Sequence, residues 1–179
     1  MTRLVVLLVV TSIVGCSSST PSMSGDAASG DPYAAARAAC MAEINRLRAT
    51  HGLPPYTEWT SAESCADGQA TSDGTSMMAH MQFRTGNTCG ANAQNECVGQ
   101  GVAGIVQCLD QMWAEGEQPE CAGCDACAGS YMPSCPNCDY SGTATGHVCG
   151  HYVNMSAHWL TQAACGFGSA NGWDAIDFR

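Results

Sequence analysis

Thirteen cysteines in 179 residues constrain this chain more than any other feature. In an exported protein such density is a disulfide framework, because cystines form and persist in oxidising compartments. The N-terminus supports export. Arg3 gives it a positive start, and Leu4 to Val14 is an apolar run of eleven residues. That run is too short to cross about 30 Å of hydrocarbon as a helix, so it reads as a signal peptide over residues 1–15.

Ile13-Val14-Gly15-Cys16 places a small residue just before a cysteine, an arrangement similar to a bacterial lipoprotein signal. On that reading Cys16 carries lipid and twelve cysteines remain, an even number for pairing. A plain secretory signal is the alternative. Residues 16–32 are Ser-rich, with no apolar period, and read as a flexible tether reaching roughly 20–25 Å on average. The expected location is extracytoplasmic, lipid-anchored to the cell envelope at the outer membrane or cell surface. Residues 33–179 are long enough for one domain with its own core. Six basic residues, all Arg, face sixteen acidic ones, for a net charge of −10. Nothing supplies the cationic patch that nucleic acid needs, so nucleic acid is not an expected partner. Contact with a membrane is expected through the lipid, not through charge.

Periodicity predicts a helix over 34–50, where Cys40, Ile44 and Leu47 recur at helical spacing and Gly52 and Pro54-Pro55 end the run. It predicts a second over 60–79, interrupted by Gly68 and Gly74, and a third over 104–115, with Ile105, Cys108, Leu109, Met112 and Trp113 on one stripe. Residues 83–101 read as a loop. Residues 116–149 hold six cysteines and read as a stapled insertion. Residues 151–159 and 161–168 suit two paired strands, with a last short one over 173–178. Helices followed by strands in separate blocks indicate an α+β class or a layered sandwich.

Cys149-Gly150-His151-Tyr152, followed by Cys165-Gly166-Phe167, resembles the signature of the CAP superfamily of secreted, cysteine-rich (SCP-like) proteins. Asn45-Arg46-Leu47-Arg48-Ala49 with Gly52-Leu53-Pro54-Pro55 is similar to that family's first helix and turn. The resemblance covers nearly all of 33–179. It implies a disulfide-rich, three-layer α–β–α sandwich of the CAP type, and a cavity lined by two histidines and two glutamates. Residue by residue, these are His80, Glu96, Glu115 and His151. His80 is followed by Met81 where the family has Ser. Glu96 sits in Asn95-Glu96-Cys97, with the family's Gly and Leu replaced. Glu115 stands two residues after Trp113 where the family commonly has three, which leaves Glu117 as the alternative.

Two imidazoles and two carboxylates suit a divalent cation such as Zn²⁺. The bland alternative is a hydrogen-bonded polar plug that holds the layers together. The resemblance implies a non-enzymatic domain that binds a small-molecule, lipid or protein ligand. A zinc-dependent hydrolase, using His80 and His151 with Glu96 or Glu115, and a structural envelope protein are the rivals. The resemblance also places a cystine between Cys149 and Cys165, and Cys89 is expected to pair with Cys97. His51 reads as a helix C-cap, His147 as a loop residue and His158 as a strand packing residue. Cys121-x-x-Cys124-x-x-Cys127 and Cys135-x-x-Cys138 have zinc-ribbon spacing, but in an exported chain they read as disulfides. The methionines, with Met77, Met78 and Met81 beside His80, read as core filling, with the lining of a ligand groove as the alternative. Asn154-Met155-Ser156 matches a glycosylation acceptor by chance.

Overall fold

The computed structural model describes residues 30–121, 124, 138–143 and 145–179. The signal peptide, Cys16 and most of the tether lie outside the described residues, as do Cys127 and Cys135. Among the described residues the fold is mixed α and β, with five α-helices and a four-stranded sheet. The elements are α1 (Ala34–Thr50), β1 (Thr57–Glu58), α2 (Thr60–Ser76), α3 (Met81–Arg84), β2 (Ala93–Cys97), α4 (Gly101–Ala114), α5 (Gly150–Ser156), β3 (Gln162–Phe167) and β4 (Asp174–Phe178). Two 3₁₀ turns, Glu115–Glu117 and Pro119–Cys121, follow α4.

The sheet order is β1-β3-β4-β2. β1 runs parallel to β3, and the other two pairings are antiparallel. Every residue of β3 from Ala163 onward is buried, so both faces of the sheet are covered. Ala163, Cys165 and Phe167 join the core made with α1, α4 and α5. Ala164 joins Trp59 and Ala62 on the opposite face. Helices therefore pack on both sides, the alternation following from the period of two in a strand. α2 lies so close to β3 that a Cβ on Gly166 would come within 2.3 Å of the Ala66 backbone. Gly166→Ala is accordingly expected to destabilise the domain by about 2–3 kcal/mol through overpacking, read as a lowered urea midpoint with cystines intact. An unchanged midpoint would contradict this.

Two expected elements are corrected. Residues 151–159 do not form a strand; 150–156 form α5, and His158 beyond it is exposed, not a packing residue. Gly150 and residues 152–156 are all buried, so no polar face marks a helical period in the text. The predicted loop over 83–101 contains β2. Its sequence, Ala-Gln-Asn-Glu-Cys, carries no apolar alternation because its polar side chains are buried and paired with one another's neighbours.

The cystines are Cys40–Cys165, Cys65–Cys89, Cys97–Cys108, Cys121–Cys149 and Cys124–Cys138. Both expected pairings, Cys149–Cys165 and Cys89–Cys97, are therefore wrong. Cys165 is on the sheet face that meets α1, where Cys40 waits, whereas Cys149 precedes a helix beside the second 3₁₀ turn. Cys97 meets α4 through Cys108, and Cys89 meets α2 through Cys65. Cystines in this number point to an oxidising, extracellular environment. No helix among the described residues is long and apolar enough to cross a membrane.

Candidate functional site

A cavity of about 640 Å³ opens beside β2, the edge strand of the sheet. His80, Gln94, Glu96, His151 and Asn154 line it together with apolar groups that include Phe83, Val98 and Val148. The sequence-derived residues His80, Glu96 and His151 thus converge on one cavity. Glu115 joins them through His151, its Oε1 lying 2.6 Å from Nδ1. The alternative, Glu117, is exposed. The 3₁₀ turn that ends α4 brings Glu115 to this position.

His80 reaches the cavity by an unusual backbone route. Met77 ends α2 in the left-handed region, and His80 itself has φ 57°, a conformation uncommon for a residue with a Cβ. The Glu96 carboxyl accepts the His80 backbone N–H at 2.8 Å and holds this turn in place. Gly150 serves His151 similarly. It donates its N–H to the Tyr140 carbonyl at 3.0 Å, and a Cβ there would sit 2.8 Å from that oxygen. The Gly of the Cys-Gly-His text is thus needed for the cysteine-rich segment to pack on α5.

Hydrogen bonds fix how the imidazoles present themselves. The Gln94 amide donates to Gln69 Oε1 at 3.0 Å and to Asp177 Oδ1 at 3.1 Å. Its oxygen therefore faces His80 and accepts from Nδ1 at 2.9 Å. That leaves His80 Nε2 with a free lone pair. Burial lowers the His80 pKa, the Gln94 bond opposing it, so the ring is neutral. In His151, Nδ1 is likewise taken by Glu115 at 2.6 Å, which leaves Nε2 as the ring's other polar atom. Gln94 was not anticipated. Its only textual signal is its place two residues before Glu96, on the same face of a strand that was read as a loop.

Glu96 has a second neighbour unseen in the sequence. Burial, with the Asp73 side chain next in importance, raises the Glu96 pKa to about 8. Glu96 Oε1 and Asp73 Oδ2 are both buried without a separate partner. Burial and the neighbouring Asp73 thus favour the protonated carboxyl, while its Oε2 clamps the His80 turn.

A divalent ion needs ligand atoms that converge on one point. Each imidazole is backed by a partner on Nδ1, as metal-binding histidines usually are. Each carboxylate has one oxygen engaged, Glu115 Oε1 on His151 and Glu96 Oε2 on the His80 backbone, and its other oxygen is buried without a hydrogen-bond partner. Among the described residues, the one group of three or more candidate ligand atoms within 4.8 Å of each other is Cys121, Cys124 and Cys149. These sulfurs could hold a metal as thiolates, but here they belong to cystines.

Other expectations resolve plainly. His51 caps α1 and meets Tyr152 Oη at 3.3 Å. His147 is an exposed loop residue. Met77 and Met78 are 63% and 57% exposed, so they are not core. Asn154 and Ser156 are buried, closing the glycosylation acceptor. No family model and no curated protein matches this chain.

Proposed function

We propose that residues 33–179 are a CAP-type binding domain, working outside the cytoplasm and tethered by lipid on Cys16, whose cavity takes a small amphiphilic ligand without chemical turnover. One observation carries the reading: two imidazoles, each with Nδ1 held by a neighbouring side chain, line one largely apolar cavity. Such a site accepts a hydroxyl or similar donor at its polar end and an alkyl or ring body against Phe83, Val98 and Val148. The cavity lies in the size range of small-molecule sites. Ser141, the hydroxyl of serine type at its wall, bonds Thr143 at 3.1 Å and not a histidine, so it is no activated nucleophile.

A divalent ion such as Zn²⁺, held on His80 and His151, would supply a Lewis-acidic attachment point for a ligand oxygen. Gln94 and Glu115 would orient the rings. A second reading, hydrolysis by a water that His151 deprotonates, rests on the Glu115–His151 contact, since a carboxylate that orients an imidazole is a general-base arrangement.

A medium-chain alcohol is a direct probe. Saturable binding by calorimetry is expected, weakened about tenfold by His80→Ala or His151→Ala, the scale of one lost hydrogen bond in a dry site. His158→Ala, at an exposed position outside the cavity, should leave affinity unchanged. Zn²⁺ uptake should respond to the same pair. Binding of both probes indifferent to both cavity histidines would sink the assignment. Turnover of a peptide or ester lost on Glu115→Gln would favour the hydrolase instead.

A further inference from the structure

The zinc-ribbon spacing of the cysteine-rich insertion is not used by the cavity, yet the fold gives it a geometry. Cys121 and Cys149 are bonded to each other, and Cys124 is bonded to Cys138. Neither cystine requires a third sulfur nearby. Even so, the sulfurs of Cys121, Cys124 and Cys149 all lie within 4.8 Å of one another. In a tetrahedral site with metal–sulfur bonds near 2.3 Å, sulfurs stand about 3.8 Å apart. The three side chains are 2%, 1% and 0% exposed, so water does not compete for the space between them. They also arrive as ligand sets usually do, with a Cys-x-x-Cys pair close in sequence and a further cysteine from a distant segment.

We infer that Cys121, Cys124 and Cys149 are three corners of a thiolate site for a soft, sulfur-preferring divalent ion of the Zn²⁺ type, with Cys138 as the fourth, formed when a dithiol reduces the two cystines. The balance is simple. Each cystine takes two electrons and two protons from one dithiol, which closes to its own disulfide. Four thiols result. The ion binds as the four protons leave, giving a tetrathiolate centre. Cys138 needs no search, since reduction frees it beside Cys124.

The location gives the exchange a purpose. Cys149 directly precedes Gly150 and His151 at the start of α5, and Cys121 closes the turns that follow Glu115. The Cys121–Cys149 cystine therefore ties together the two segments that bear the Glu115–His151 pair. An ion on the same sulfurs makes the same tie. The cavity keeps its His151 side in an oxidising environment through the cystine and in a reducing one through the metal. This does not depend on what the cavity binds.

The full chain, reduced anaerobically with a phosphine and titrated with Co²⁺ as the probe ion, tests the inference. One equivalent should bind with the thiolate charge-transfer band and the visible intensity of tetrahedral cobalt. Zn²⁺ should displace it. Cys124→Ser and Cys149→Ser should each lose that spectrum, and the pair Cys65→Ser with Cys89→Ser should keep it. Alkylation mapping by mass spectrometry gives a readout that survives a variant's misfolding: the ion should protect Cys121, Cys124, Cys138 and Cys149. Absence of tetrahedral cobalt in the reduced chain overturns the inference. So does protection centred on Cys127 and Cys135, with Cys121 and Cys149 freely alkylated.

Discussion

Replacing Arg48 with Met is expected to lower the stability of the domain by about 3 kcal/mol or more, although Met is apolar and of similar length. Arg48 is fully buried, at 0% exposure, and its hydrogen bonds among the described residues go to backbone carbonyls. Its Nε donates to the Pro54 carbonyl at 2.8 Å. Its Nη1 donates to the carbonyls of Met155 at 2.7 Å and Ala157 at 3.1 Å. The guanidinium carbon lies 3.6 Å from the centre of the Tyr56 ring. Burial lowers the Arg48 pKa, but a guanidinium does not lose its proton, so the charge stays and is carried by carbonyl dipoles and a ring face. Met would take this donor from the carbonyls of Pro54 and Met155, while Ala157 keeps the Tyr56 hydroxyl at 3.2 Å; Met155 and Ala157 stand at the C-terminal end of α5, where a cation also suits the helix dipole. Each buried orphan costs roughly 1–3 kcal/mol, partly offset by removing a buried charge. Arg48→Lys should lose much of the same stability, because an ammonium cannot reach three carbonyls along the guanidinium fork. Urea unfolding with cystines intact measures both. A loss below about 1 kcal/mol for Met would mean that the burial cost of the charge cancels its bonds. Because α5 carries His151, the Met variant should also bind the alcohol probe more weakly.

The second large effect is a fall in stability from pH 5 to pH 8. Asp174, Asp177 and Glu96 are buried, and oxygens of all three lack partners. Burial raises Asp174 and Asp177 from 3.8 to about 7, and Glu96 from 4.5 to about 8. A carboxyl whose folded pKa lies above its unfolded one binds more protons when folded. Its stabilisation is complete below the unfolded value and is lost as pH rises through the folded one. The window therefore runs from about 4 to 8. Glu63, raised to about 7 chiefly by burial, adds to it. Asp31 and Glu43 are lowered by hydrogen bonds from Arg37 and Arg46, but their stabilisation is present above their ordinary values and is lost only in more acid solution. His80, lowered by burial, works the other way below its ordinary value of 6.5 and is a single group against four. With about 1.4 kcal/mol per tenfold change in proton affinity, the net loss between pH 5 and 8 is on the order of several kcal/mol. Thermal midpoints at the two pH values read it directly. Asp174→Asn should raise the midpoint at pH 8 and hardly move it at pH 5. A midpoint that climbs from pH 5 to 8 would show these acids to be ionised and partnered in the folded state.

Elements with one buried face could be read from the text. α1 and the apolar stripe of α4 follow helical spacing because their other faces meet water. β3 falls within the apolar run over 161–168, and β4 within the short strand expected over 173–178. The motif around His151, the position of His80 and the identities of Glu96 and Glu115 were also legible. Two elements hid. α5 has no polar face, and β2 is polar inside the protein, so neither shows the period by which it would be recognised.

By itself the sequence determined the cysteine-rich character, the acidic surface, most of the helices and the residues worth placing in a site. Only the tertiary structure decided which sulfurs meet, because pairing depends on which faces of α1, α2 and α4 the sheet and its loops approach. It alone decided that Gln94 and Glu115 lock the two imidazoles while Glu96 clamps a backbone turn. Those roles follow from which atoms are left without water when β2 is buried at the sheet edge, and spacing along a chain carries no record of that.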